Sequence, residues 1–163
     1  MEYIFEKAKP SDIEDIWSII SGRIDWMNEV GIRQWNVTDY YGRYPREYYL
    51  DHIENGRMFL LRKDGKAVAV AALLEEDERW DGAKELDAFY VHHLASKVGE
   101  HGAGTAMLKK ILDHSVACGK KALRLDCAID NDFLNEYYKN FGFSYCGKCR
   151  DRLYYGNLME IIL

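Results

Sequence analysis

KELDAFYVHHLASKVGEHGAGTAMLKKILDHSVACGKKALRLDCA, residues 84–128, runs from an apolar strand pattern through a glycine-rich loop into a helical pattern and back to a strand pattern. Lys84 to His92 reads as a strand, about Gly102 to Cys118 as a helix, and Lys121 to Ala128 as a second strand. Strands joined by a crossover helix are expected to run parallel, because the helix carries the chain back to the end of the sheet from which it left. Gly99-Glu100-His101-Gly102-Ala103-Gly104-Thr105 sits where the first strand becomes the helix, so its backbone N–H groups and the helix dipole can receive an anion such as phosphate. A turn that merely packs the helix closely on the strand explains the same glycines. Gly99-x4-Gly104 is followed by Thr105 with no intervening lysine, which excludes a Walker loop, and the spacing does not match G-x-G-x-x-G.

Outward from this unit, Tyr3 to Lys9 is a short opening strand, and Ser11 with Glu14 reads as a capping box for a first helix. Ile13, Ile16, Trp17, Ile20, Ile24 and Met27 then recur at helical spacing until Gly31, and a second helix follows Pro45 with Tyr49 and Ile53 on one face. Met58 to Leu61 and Ala67 to Glu75 flank Lys63-Asp64-Gly65-Lys66, an Asp-Gly hairpin signal. Downstream come a helix over Asp132 to Phe141 and two strands expected to be antiparallel, Ser144 to Cys149 and Leu153 to Ile162. The order is β-α-α-β-β-β-α-β-α-β-β. It implies an α/β (α+β) fold with a central mixed, twisted sheet of about seven strands flanked by about four helices. No repeat or linker divides residues 1–163, so one domain is expected.

The composition agrees with a folded globule: 163 residues, 48% hydrophobic, 30% charged and a net charge of −5. Its acidity argues against broad nucleic-acid binding, which needs a cationic face. The longest apolar run, Ala67 to Leu74, is far short of the ~20 residues that span a bilayer, and Met1-Glu2-Tyr3-Ile4-Phe5 lacks a basic region and an apolar signal core. A soluble, cytoplasmic protein with reduced cysteines and no membrane contact is expected, with an edge strand available for a homodimer.

Within this framework the chain resembles the GNAT superfamily of N-acetyltransferases. The residues that carry the resemblance are the strand Leu86-Asp87-Ala88-Phe89-Tyr90-Val91, the loop Gly99-x-x-Gly102-x-Gly104, and Asn131 followed by Tyr138-x-x-x-Gly142-Phe143. They stand in the family's order and spacing over about residues 84 to 145. The family's loop usually begins with Arg or Gln, where this chain has Gly99; Lys97 or His101 stands close enough in sequence to supply polarity. The resemblance implies acetyl coenzyme A as co-substrate, in a cleft where the strands of Phe89-Tyr90-Val91 and Leu125-Asp126-Cys127 splay apart. The loop Gly99, Glu100, His101, Gly102, Ala103, Gly104 and Thr105 would hold the pyrophosphate, and Lys109 or Lys110 is either a peripheral phosphate contact or a solvated lysine.

It further implies direct transfer of the acetyl group, in a ternary complex, to a primary amine of a small molecule or peptide. Tyr138 is the candidate acid for the departing thiolate, since a phenol with an ordinary pKa of ~10 stays protonated at neutral pH; packing with Tyr137 and Phe141 is the alternative. Asn131 caps its helix, binds the pantetheine, or does both. Asp87 is the first candidate base and Glu85 the second, on the same face of the strand by alternation.

A non-catalytic module that binds acyl coenzyme A or a partner is the competing reading. Cys127 is expected to be a buried strand cysteine rather than a nucleophile. Cys146-x-x-Cys149 is a weak thiol or zinc signal, with strand geometry pointing the two to opposite faces, so no metal is assigned. His52, His92, His93 and His114 form no ligand constellation visible in sequence. Glu75 to Asp87 holds seven acids against two bases, which could attract a cationic amine or simply be a solvated loop. Trp35, Tyr40, Tyr41, Tyr44, Tyr48 and Tyr49 could wall the acceptor site.

Overall fold

The computed structural model describes residues 2–163; Met1, part of the opening segment read above for a signal, lies outside them. Seven strands, β1 (Tyr3–Lys7), β2 (Met58–Lys63), β3 (Lys66–Leu74), β4 (Ala88–Ser96), β5 (Ala122–Ala128), β6 (Ser144–Asp151) and β7 (Tyr154–Ile162), form one sheet. Its order is β1-β2-β3-β4-β5-β7-β6. Only the β4–β5 pair is parallel, as the crossover helix requires. The helices are α1 (Ile13–Val30), α2 (Tyr40–Arg43), α3 (Arg46–Glu54), α4 (Ala103–Ala117) and α5 (Asp132–Phe141). The one-turn α2 is an addition to the expected order, formed where the aromatic segment folds back over the sheet.

Both sheet faces are covered. Met107, Leu108 and Ile111 of α4 and Tyr138 of α5 pack against Leu61, Val91 and Leu125, while Ile16, Ile20 and Ile24 of α1 and Tyr49 and Ile53 of α3 pack against Leu60, Val70 and Ala72. Burial on two sides is why Ala67 to Leu73 reads as a continuous apolar run rather than an alternating one. In the β2–β3 hairpin Asp64 and Gly65 both take positive φ (51° and 75°), the geometry an Asp-Gly turn supplies.

Two local expectations are corrected. The Ser11–Glu14 capping box does not form, because the chain enters α1 through a tight turn over Pro10–Asp12. The Asp12 carboxylate instead accepts the Lys9 backbone N–H at 2.8 Å and an Arg62 N–H at 2.6 Å. The strand expected over Lys84 to His92 is shifted towards the C-terminus, to Ala88–Ser96. Its limits are set by its neighbours: β3 ends at Leu74 opposite Tyr90, β5 begins at Ala122 opposite Ala88, and β3 continues to pair as far as Ser96.

Arg124 of β5 is 2% exposed, although its place in the alternation would suit a solvent face. The strip of chain from Glu75 to Asp87 covers it. Its guanidinium donates to Glu160 of β7 (2.9 Å), the Tyr90 hydroxyl (3.1 Å) and the Lys84 carbonyl (2.7 Å), and stacks over Trp80. These bonds tie β4, β5, β7 and the covering strip together at the last position where β4 and β5 are paired. Removing one partner of a buried, satisfied ion pair leaves the rest uncompensated, so Arg124→Ala should lower the unfolding free energy by about 3–5 kcal/mol in chemical denaturation. A loss below about 1 kcal/mol would show that the covering strip does not depend on this residue.

Candidate active site

β4 and β5 share three register positions, Ala88–Ala122, Phe89–Leu123 and Tyr90–Arg124, and then part. β5 keeps its full pairing with β7, while β4 keeps to β3 through a bulge between Val70 and Ala72. The facing edges beyond Tyr90 and Arg124 therefore have backbone groups with no strand to bond, and such groups need a partner when buried. A cleft of about 520 Å³ opens at the parting, in the range of small-molecule sites.

One wall of the cleft is the loop. Gly99 and Gly102 hold φ of 90° and 83°, values at which any side chain would be strained, and Gly102 caps α4. Gly99, Glu100, His101, Gly102, Gly104 and Thr105 all line the cleft, with the side chains of Lys97 and His101 at its exposed mouth. Of the first N–H groups of α4, that of Ala103 bonds the Glu100 carbonyl at 3.3 Å and that of Ala106 the Gly102 carbonyl at 2.9 Å, while those of Gly104 and Thr105 have no partner within the helix. Glu100 is drawn aside by Lys63 at 3.3 Å, which moves its negative charge towards the β2–β3 hairpin. The Thr105 hydroxyl bonds the Tyr137 hydroxyl at 2.7 Å and so ties the start of α4 to α5.

Tyr138 also lines the cleft, on the α4 face of the sheet beside the loop, packed edge-on against Tyr137 and Phe143. Burial pushes its phenol pKa well above the ordinary value, with further contributions from Cys127, Tyr137 and Asp126. It is a protonated hydroxyl at any physiological pH. Asn131 lines the cleft too: its Oδ1 caps α5 at Leu134 N (3.0 Å), and its Nδ2 donates to Gln34 at 2.9 Å, which straps the loop after α1 to α5. Arg23 of α1 donates to the Ser96 carbonyl at 2.7 Å, fixing the end of β4.

Several expected site residues fall elsewhere. Asp87 precedes β4 at the end away from the parting, with a side chain 65% exposed and bonded to Lys120 at 2.7 Å. Glu85 lies in the covering strip, also outside the cleft lining. Both were expected on a strand that in fact starts later. Phe89 and Tyr90 are buried at positions where β4 is still paired, and of the expected strand contacts Val91 alone reaches the cleft. Ala103 points into the core beneath the loop. Lys109 and Lys110 are exposed on α4, away from the cleft.

Sequence reasoning missed a polar wall of the cleft, to which His92, Arg79, Asp126 and Asp151 contribute. The His92 Nε2 bonds Asp77 Oδ2 at 2.7 Å, and Asp77 Oδ1 accepts the Arg79 backbone N–H at 3.0 Å. Burial alone would raise the Asp77 carboxyl, but the bond to His92 and the contacts with Arg79 outweigh it and hold the pKa below the usual value. The Arg79 guanidinium bonds both Asp126 oxygens at 3.3 Å and Asp151 at 3.1 Å, and Asp151 also takes a bond from Arg43 at 2.5 Å. Donor atoms of Asp77, His92 and Asp126 lie within 4.8 Å of one another, near enough to share a cation, and the Arg79 guanidinium stands against them. The run of acids flanking Arg79 and the His92-His93 pair carried this signal, but their partners are distant in sequence.

His93 takes φ of 55° at the bulge and is 6% exposed. Its imidazole is bonded at both nitrogens, Nδ1 with the Tyr40 hydroxyl and Nε2 with that of Tyr48 at 2.9 Å, while Tyr44 and Tyr49 pack edge-on against the ring. Trp35, Tyr40 and Tyr44 line the cleft, whereas Tyr48 and Tyr49 lie behind them and Tyr41 packs on Trp17. Burial drives the thiol of Cys127 up to about 12, and it donates to Asn135 at 3.3 Å, so it is no nucleophile at neutral pH. Cys146 and Cys149 are likewise pushed up, to about 11 and about 12, chiefly by burial.

Residues 29–143 match the model of the acetyltransferase (GNAT) family, and the chain belongs to that family. It is an acyltransferase of the N-acetyltransferase class. Among its relatives is an uncharacterized N-acetyltransferase, YesJ, of Bacillus subtilis (strain 168), 27% identical over 152 residues that cover 83% of this chain and 78% of the relative. The fold is shared with a GNAT-family acetyltransferase from Streptococcus agalactiae, at a TM-score of 0.82 and 22% identity over 99% of this chain and 95% of the other. It is shared too with the PaiA N-acetyltransferase from Thermoplasma acidophilum, solved in complex with coenzyme A, at a TM-score of 0.70 and 18% identity over the whole of both chains. No helix among the described residues is long and apolar enough to cross a membrane.

Burial, followed by the charges of His92, His52, Arg79 and Arg43, lowers the His93 pKa well below its ordinary value. The folded state therefore keeps His93 neutral while the unfolded chain takes up a proton below about pH 6.5. Its contribution is fully present above that pH and is lost as pH falls, at about 1.4 kcal/mol per unit. Between pH 6.5 and 5.5, where the unfolded imidazole is only partly protonated at the upper end, denaturation curves should show the wild type losing about 1 kcal/mol more stability than His93→Gln. Equal losses would mean that His93 is not held neutral.

Proposed function

We propose that the protein transfers an acetyl group from acetyl coenzyme A directly to a primary amine of a small molecule or peptide, within a ternary complex. The observation that carries this reading is the parting of β4 and β5 between the Gly99–Thr105 loop and Tyr138. The loop would hold the pyrophosphate through backbone N–H groups, which suits an acidic chain that spends few cationic side chains there. The free edges of β4 and β5 would bond the amides of the pantetheine arm as a strand would, aligning the thioester.

Attack by the amine forms a C–N bond and an oxyanion, and collapse breaks the C–S bond with its electron pair on sulfur. Tyr138 donates its proton to that sulfur as charge develops. Burial keeps its proton in place at neutral pH, and the same buried setting makes the thiolate that forms beside it more basic, so that the proton can move between them. Covalent transfer through Cys127 is disfavoured by its neutral, hydrogen-bonded thiol. Asp77, Asp126 and Asp151 against Arg43 and Arg79 leave the far end of the cleft close to charge balance, which favours an amine of modest charge over a polycation.

Tyr138→Phe keeps the ring and its packing while removing the proton. It should lower kcat about 100-fold with acetyl coenzyme A affinity, by calorimetry, within about threefold of wild type. Unchanged turnover would remove Tyr138 from the chemistry.

A further inference from the structure

We infer that His92, held by Asp77, is the base that takes the proton from the acceptor's ammonium group; this rests on the acetyltransferase reading above. Along β4, Phe89 and Val91 pack with α4, while Ala88 and Tyr90 pack with Trp80 on the other face. Two residues beyond Tyr90 and before the bulge, His92 shares the Trp80 face. Tyr138 belongs to the α4 face. Both line the cleft, so the acid and the base flank the thioester position from opposite faces of the sheet. A proton can leave the amine on one side and reach the sulfur on the other without the two groups competing.

The His92 side chain is 12% exposed and that of Asp77 8%. With Nε2–H donated to Asp77, Nδ1 carries the lone pair. The groups facing His92 are Asp77 and Arg79 of the covering strip, Asp126 of β5, His93 of β4 and His52 of α3. Arg79 is itself committed to Asp126 and Asp151, and its backbone N–H holds Asp77 Oδ1, so the carboxylate is fixed at both oxygens and the imidazole with it. Asp77 is thus a positioning residue and His92 the catalytic one.

The step balances as follows. The ammonium gives one proton to His92 Nδ1, and the freed lone pair attacks the carbonyl carbon. As the C–S bond breaks, sulfur takes the Tyr138 proton, and the new amide nitrogen loses its surplus proton, which restores the phenol by way of solvent. One proton, that held by His92, is released to solvent for each acetyl group moved.

The test measures coenzyme A thiol release from acetyl coenzyme A with two probe nucleophiles. Methylamine is an ammonium ion at pH 7, its pKa lying near that of lysine at ~10, whereas hydroxylamine is a free base. His92→Gln should lose about 100-fold with methylamine and at least about 30-fold less with hydroxylamine, and raising the pH should recover the methylamine rate. Asp77→Asn should lower the methylamine kcat about tenfold, with KM unchanged and the hydroxylamine kcat nearly so; a purely structural role would lower both rates alike. Parallel calorimetry with acetyl coenzyme A separates loss of the cofactor from loss of the base. Equal losses with both nucleophiles in His92→Gln, or a wild type that uses hydroxylamine and not methylamine, overturns the proposal. A wild type that binds acetyl coenzyme A and uses neither defeats the transferase reading and the base with it, and one that does not bind it defeats the cofactor site first.

Discussion

The early end of the β4–β5 pairing is the constraint on which the rest of the structure depends. A parallel pair inside a sheet normally runs for the length of its shorter strand, and here it stops after three positions. β5 is held along its whole length by β7, and β4 is held by β3 through a bulge whose extra residue, His93, takes a left-handed conformation. The two strands are thus pulled to opposite sides. Arg124, buried at the last paired position, marks where the separation begins and ties down both strands and the strip that covers them.

A cleft cut through a sheet has chemistry available from both faces, and the chain uses them differently. On the α4 and α5 side stand a neutral phenol and a glycine loop that opens a helix, the groups to which the proposed reaction gives the leaving thiolate and the pyrophosphate. On the other side stands a buried network in which Arg79 and Arg43 offset Asp126 and Asp151, with His92 and Asp77 beside them. Burying these charges is tolerable because the two arginines are bonded to Asp126 and Asp151, and the Asp77 carboxylate takes N–H bonds from His92 and the Arg79 backbone. The aromatic segment after α1 backs this wall through the neutral imidazole of His93.

The glycine loop, α5 with Asn131 and Tyr138, and the hairpin at Asp64-Gly65 were legible in the sequence because their signals are local: positive-φ glycines, a cap and a helical repeat. The ends of β4 were not, since they are set by how far β3 and β5 extend, and this error carried Asp87 and Glu85 into the site. His92 looked isolated because Asp77 lies 15 residues away across a loop. Arg124 and Asp126 alternate with Leu123, Leu125 and Cys127, which reads as a half-exposed strand; the strip from Glu75 to Asp87, legible only as an acid run, turns that face into a second interior. Sequence pattern reports which face of a strand is apolar, and it does not report that a loop covers the polar one.

Titration of the uniformly 15N-labelled protein with acetyl coenzyme A, followed by the backbone amide signals, tests the cleft most directly. Saturable one-to-one binding is expected, with the largest shifts at Val91–Ala95 of β4, at Leu125–Cys127 of β5 and through the Gly99–Thr105 loop. Absence of saturation, or shifts centred away from the parting of the strands, would contradict the assignment of the cleft as the acyl-donor site.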